Sequence, residues 1–196
     1  MSARLITLLV LAACSVYGVD LRYWIEPCTR PESACLKGDT QLAEWALQAW
    51  QTAAGGKLKL QKTDQMNLAN IRIHWADALE GQYGETRTFN VGNMKGAEVY
   101  VRPDVTGLSL DISKAASADP LLRDAIVYLT CLHESGHALG LSHTTDFPDI
   151  MYTFQAGGDI PEYFGRYRRK LRTRADIAKN SGMSPQDQAR LIQVLR

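Results

Sequence analysis

His133-Glu134-Ser135-Gly136-His137-Ala138-Leu139-Gly140-Leu141-Ser142-His143 is the stretch on which the reading of this chain turns. It closes a segment with helical periodicity. Asp119 offers a capping carboxylate, and Pro120 fills the first helical position, where its missing N–H is not needed. Leu121, Leu122, Ala125, Ile126 and Leu129 then recur on one face. The spacing predicts a helix from Pro120 to Leu139, ended by a left-handed Gly140. On that helix His133 and His137 stand one turn apart on the same face, so both imidazoles reach one cation. Glu134 is rotated by about 100° and lies beside the cation, where a general base belongs. The chain reversal at Gly140 returns His143 as a third ligand. Three nitrogen donors leave the fourth tetrahedral position for water, which marks a catalytic zinc site. Cys131 falls about 160° round the helix from His133 and is expected in the core as a small hydrophobe.

Upstream, the pattern is mostly that of strands. Residues 21–26, 57–61, 70–76, 86–91 and 97–102 are five strand candidates; Leu58/Leu60 and Ile71/Ile73/Trp75 show the alternation of half-buried strands. Between the first two, Asp39 caps a helix whose Leu42, Trp45, Ala46, Ala49 and Ala53 share a face until Gly55-Gly56 stops it. Downstream of Met151 comes an irregular stretch, and then Ser184-Pro185 opens a third helix carrying Ala189, Leu191, Ile192 and Leu195.

At 196 residues and 45% apolar, the chain is sized for one domain with a packed core. With 22 basic against 21 acidic residues it carries no field that would draw it to nucleic acid. The apolar run Leu5 to Ala13 follows Arg4, is too short to span a bilayer, and reads as part of a signal peptide over residues 1–18. Two processing routes stay open. Leu11-Ala12-Ala13-Cys14 resembles a lipobox, which would lipidate Cys14 and tether the protein to a membrane, whereas Val16-Tyr17-Gly18 suits ordinary release. Either way residues 19–196 form the exported domain, secreted or lipid-anchored at a bacterial cell envelope and expected as a monomer. Export permits disulfides, and Cys28 is expected to pair with Cys35.

The string H-E-x-x-H-x-x-G-x-x-H over 133–143, with Met151 beyond it, resembles the metzincin signature. Within that group the chain is similar to a matrixin-type catalytic domain. Asp146 follows His143 by three residues, Ile150-Met151-Tyr152 resembles the Met-turn, and Pro185-Gln186-Asp187 through Ile192-Gln193 resembles the start of the last helix. The resemblance implies a zincin-like α+β fold, a five-stranded mixed sheet with three helices. It implies one catalytic Zn2+ on His133, His137 and His143, Glu134 as the base that activates the metal's water, and Met151 as the thioether floor under the ligands. It also implies a peptide or protein substrate held extended against an exposed sheet edge, here Thr86 to Val91.

There are departures. Residues 81–96 lack the ligands of the family's structural zinc, and His74, the nearest histidine, is expected to be solvent-facing or internally satisfied; calcium is left open. Thr153 and Gln188 stand where the family often has proline and a second acid. The expected domain has no room for an inhibitory prodomain, and Glu26 to Pro31 only faintly resembles its cysteine switch, since Cys35 offers Cys28 a partner. The segment Glu162 to Arg174 carries Arg166, Arg168, Arg169, Lys170, Arg172 and Arg174 against one acid, and has no counterpart in a minimal matrixin. It reads as a solvated basic element, or as a cleft wall favouring acidic substrates, or as a rest on anionic lipid. Three functions stay in play: an exported zinc endopeptidase, a peptide-binding module with a non-catalytic zinc, and a zinc amidase acting on cell-wall peptides. Glu134 favours the enzymes, because a structural zinc has no use for a base beside an open position.

Overall fold

Ile71, Ile73 and Trp75 are buried while Arg72 and His74 between them are partly exposed, so the central strand alone separates an inner from an outer sheet face. The computed structural model describes residues 18–77, 83–92 and 94–196. The expected leader, including Cys14, lies outside them except for Gly18.

The strands are β1 (Val19–Ile25), β2 (Leu58–Lys62), β3 (Ile71–Trp75), β4 (Gly84–Val91) and β5 (Met94–Val101). They form a mixed five-stranded sheet in the order β2-β1-β3-β5-β4. The first four in that order are parallel, and β4 runs antiparallel to β5 at one edge, with β2 at the other. The expected edge strand at Thr86 to Val91 is therefore present and begins earlier, at Gly84.

Five α-helices occur among the described residues: α1 (Asp39–Ala53), α2 (Leu110–Ala118), α3 (Pro120–Ala138), α4 (Ile160–Arg168) and α5 (Pro185–Val194). The expectation of three is corrected by α2 and α4. Both have ordinary caps, Ser109 accepting from the Ile112 amide and Asp159 accepting from the Glu162 amide. Their apolar stripes are what hid them. In α2 only Ile112 and Ala116 are buried, and in α4 the buried Tyr163, Phe164 and Tyr167 are interleaved with the basic run. That run is also less solvated than its composition suggests. Arg166 stacks over the Phe147 and Tyr163 rings, Arg168 pairs with Asp119, and Arg174 pairs with Asp124. No helix among the described residues is long and apolar enough to cross a membrane.

The core lies between the inner sheet face and the packed pair α1 and α3. Val99, Val101 and Ile73 meet the fully buried Leu42, Leu47, Trp50, Ile126 and Leu132. Cys131 is buried there as expected, and Cys28 is bonded to Cys35. Two polar links join these helices. The Trp50 indole N–H donates to the Leu132 carbonyl at 2.8 Å, and Arg123 grips the buried Asp39 carboxylate through both terminal nitrogens. Because Asp39 is sealed from water, its value lies in not being left alone. Arg123→Ala is expected to lower unfolding stability by about 3–5 kcal/mol, measured by urea denaturation, with a far smaller loss for the exposed Arg169→Ala.

Candidate metal centre

The site is built from the end of α3. Its start is fixed by Asp119, which accepts from the amides of Leu121 and Leu122 while Arg168 holds its other oxygen. Its end is a Schellman turn: the Gly140 amide bonds the His137 carbonyl, the Leu141 amide bonds the Gly136 carbonyl, and Gly140 sits at φ +94°. The turn reverses the chain and carries His143 back over the helix.

The three imidazoles converge as expected. His143 Nε2 lies 3.2 Å from His133 Nε2 and 3.1 Å from His137 Nε2, and the three ligand atoms all lie within 4.8 Å of one another. Nitrogens about 2.0–2.1 Å from the centre of a tetrahedron are about 3.3 Å apart, so the two close separations fit zinc. The ring tautomers fit as well. His133 Nδ1 is 2.6 Å from the Ile150 carbonyl and His137 Nδ1 is 2.8 Å from the Leu141 carbonyl. A carbonyl only accepts, so both Nδ1 atoms carry hydrogen and both Nε2 lone pairs are left bare toward His143. Burial pushes His133 down to about 4, and burial together with His137 lowers His143 as well, which favours the neutral, ligating form.

Met151 is fully buried below this group. A Cβ on Gly136 would stand 2.4 Å from the Met151 sulfur and 2.9 Å from the Trp50 ring, so the fourth residue of the motif has no side chain because the thioether occupies that space. The turn carrying Met151 is fastened from three sides. The Thr144 amide bonds the Met151 carbonyl, the Asp187 carboxylate accepts from the Ile150 amide at 2.8 Å, and the Tyr163 hydroxyl donates to the Asp149 and Ile150 carbonyls at 3.2 Å each. Ile150 is thus a node: its carbonyl orients His133, while Asp187 and Tyr163 orient Ile150. Gln188, which departs from the family's second acid, donates instead to the Ala53 carbonyl and ties α5 to α1.

Glu134 is buried at 6% exposure and points toward β4. Its Oε2 accepts from the Thr86 hydroxyl at 2.7 Å. Burial raises its pKa to about 7 against the lowering effect of that hydrogen bond. Glu134, His133 and His143 line a cavity of about 420 Å³ whose other walls include Leu129, Tyr152, Phe154, Tyr163 and Phe164. His74 stands elsewhere, on the outer sheet face, 2.5 Å from Glu98 and between the rings of Trp24 and Tyr100.

Sequence reasoning missed Thr86, Gly84, Gly136 and Tyr163. Gly136 alone carried a signal, a glycine inside a helix that costs about 1 kcal/mol relative to alanine. The others are joined to the site only by the fold.

Three imidazoles converging on one point, with a buried carboxylate beside them, define a metallohydrolase centre. The matrixin family model matches residues 20–161, and the chain belongs to the matrixin family of zinc metalloproteases. A comparison with curated protein sequences finds no match. Among solved structures, archaemetzincin from Methanopyrus kandleri aligns at 13% identity and a TM-score of 0.44, over 94% of this chain and 99% of that one.

Purified protein is expected to bind one zinc per chain by mass spectrometry under native conditions. His133→Ala, His137→Ala and His143→Ala should each lose it, and His74→Ala should keep it. A second expectation concerns acid. Burial raises the Asp149 pKa, but hydrogen bonds from Ser184, Arg190 and Thr144 outweigh it and hold the carboxyl below its usual range. A lowered folded value means stability that is complete above the unfolded pKa of about 3.9 and is lost as pH falls through the lowered one. The urea midpoint of wild type should therefore exceed that of Asp149→Asn by a constant margin above about pH 5, a margin that shrinks on further acidification.

Proposed function

We propose that the protein is an exported endopeptidase that holds zinc on His133, His137 and His143 and uses Glu134 as its general base. The observation that carries this reading is the buried Glu134 carboxylate sharing one cavity with the converging imidazoles. Zinc held there would acidify a water and polarise a peptide carbonyl. Glu134 takes the proton of the attacking water and returns it to the departing amine. A carboxyl raised by burial suits both halves of that exchange.

The substrate runs extended along β4, whose outer edge offers unpaired backbone groups to a peptide strand. One of its side chains enters the cavity. Among the described residues no lysine or arginine lines that cavity; its walls include Leu108, Leu129, Ile160, Phe154, Tyr163 and Phe164, together with several polar groups. This supports a large apolar side chain next to the cleaved bond, in place of the acidic one that the basic segment suggested. Export is supported by the leader pattern and by the pairing of Cys28 with Cys35, and the mass of the mature N-terminus distinguishes a lipidated Cys14 from a free Val19.

A peptide library is expected to be cut beside large apolar residues, with all turnover lost to a chelator. Glu134→Ala should lower kcat by at least about a hundredfold while still binding zinc. Zinc binding with no turnover of any peptide would leave a binding module, and turnover restricted to cell-wall peptides would leave an amidase.

A further inference from the structure

Gly84 and Thr86 are two positions apart on β4, so their side-chain directions coincide and both face α3. Together they enclose one group. The Thr86 hydroxyl lies 2.7 Å from Glu134 Oε2, and the space where Gly84 would carry a Cβ is taken by the same side chain, 2.4 Å from Oε1 and 2.8 Å from Cδ. A carboxylate with a hydroxyl on one oxygen and a fitted void beside the other has little freedom to rotate. Its two oxygens are also made unequal: Oε2 accepts the Thr86 hydrogen bond, and among the described residues no donor bonds Oε1.

We propose that Thr86 is a positioning residue for the reaction. It holds Glu134 Oε2, so that Oε1 is the oxygen that takes and returns the proton, and Gly84 is glycine because that rotamer fills its side-chain space. Thr86 belongs to the strand along which the substrate is proposed to lie, so one residue joins the peptide-binding edge to the base. The inference rests on Glu134 being the base. Thr86 donates its single proton at 2.7 Å to the carboxylate, in preference to the Glu134 backbone carbonyl at 3.0 Å, because a charge-assisted bond is the stronger of the two. Nothing in this role requires Thr86 to touch the metal or the substrate.

The test uses the full mature protein loaded with zinc and a fluorogenic peptide bearing a large apolar residue at the cleaved bond. Thr86→Val keeps the shape of the side chain and removes its hydroxyl; it is expected to lower kcat by about tenfold to a hundredfold, the worth of one hydrogen bond to a charged group, with KM, zinc content and thermal midpoint unchanged. Thr86→Ser should recover most of the loss. Gly84→Ala should lower kcat at least as far, again with zinc retained. In a Glu134→Gln background, Thr86→Val should cost nothing further, since the two residues act as one unit. Wild-type kcat in Thr86→Val, or an undiminished loss in the Glu134→Gln background, would overturn the proposal while leaving Glu134 as base. Full activity in Glu134→Gln itself would instead remove the base and this inference with it.

Discussion

The hydrogen bonds from His133 to the Ile150 carbonyl and from His137 to the Leu141 carbonyl carry the site. Each decides which ring nitrogen is protonated, and so which one is free to bind a cation. Without them the two rings would have interchangeable tautomers and no fixed metal-facing nitrogen. Both acceptors are backbone atoms in irregular segments, one in the Schellman turn after α3 and one in the turn around Met151. Much of the fold below α3 can be understood as holding those two carbonyls still. The Gly140 reversal fixes the first, and Asp187, Tyr163 and the Thr144 pairing fix the second.

Helix α4 shows how one segment serves two ends. Its aromatic side, Tyr163 and Phe164, both walls the cavity and braces the Met151 turn. Its arginines bind it to the body of the protein: Arg166 through the Phe147 and Tyr163 rings, Arg168 through the cap of α3. A charge run read from composition suggested an outward-facing element. The intervening tyrosines and phenylalanine, spaced at helical intervals, turn it into a clamp.

The sequence made the helix of the histidines legible because every cue agreed there: Asp119 and Pro120 at one end, Gly140 at the other, and apolar residues at helical spacing between. The ligand set followed from that helix and its exit. The free edge strand was legible too, though its first residues were not, since Gly84 and Glu85 offer no apolar alternation. What stayed hidden falls into two kinds. Helices α2 and α4 bury too few side chains, or bury them among charges, so their periodicity is weak against the background. Thr86 and Tyr163 reach the site only through packing, across separations of 48 and 13 residues to the groups they touch, and no local pattern encodes that.

The Asp187 carboxylate has a consequence for when the centre comes into being. It belongs to α5, far downstream of all three histidines, yet it fastens the turn whose carbonyl orients the first of them. A chain can therefore carry the whole histidine motif and still lack one of the ties that hold the turn orienting His133 until α5 has packed. The orientation of the first ligand is thus tied to a helix that lies outside the motif itself.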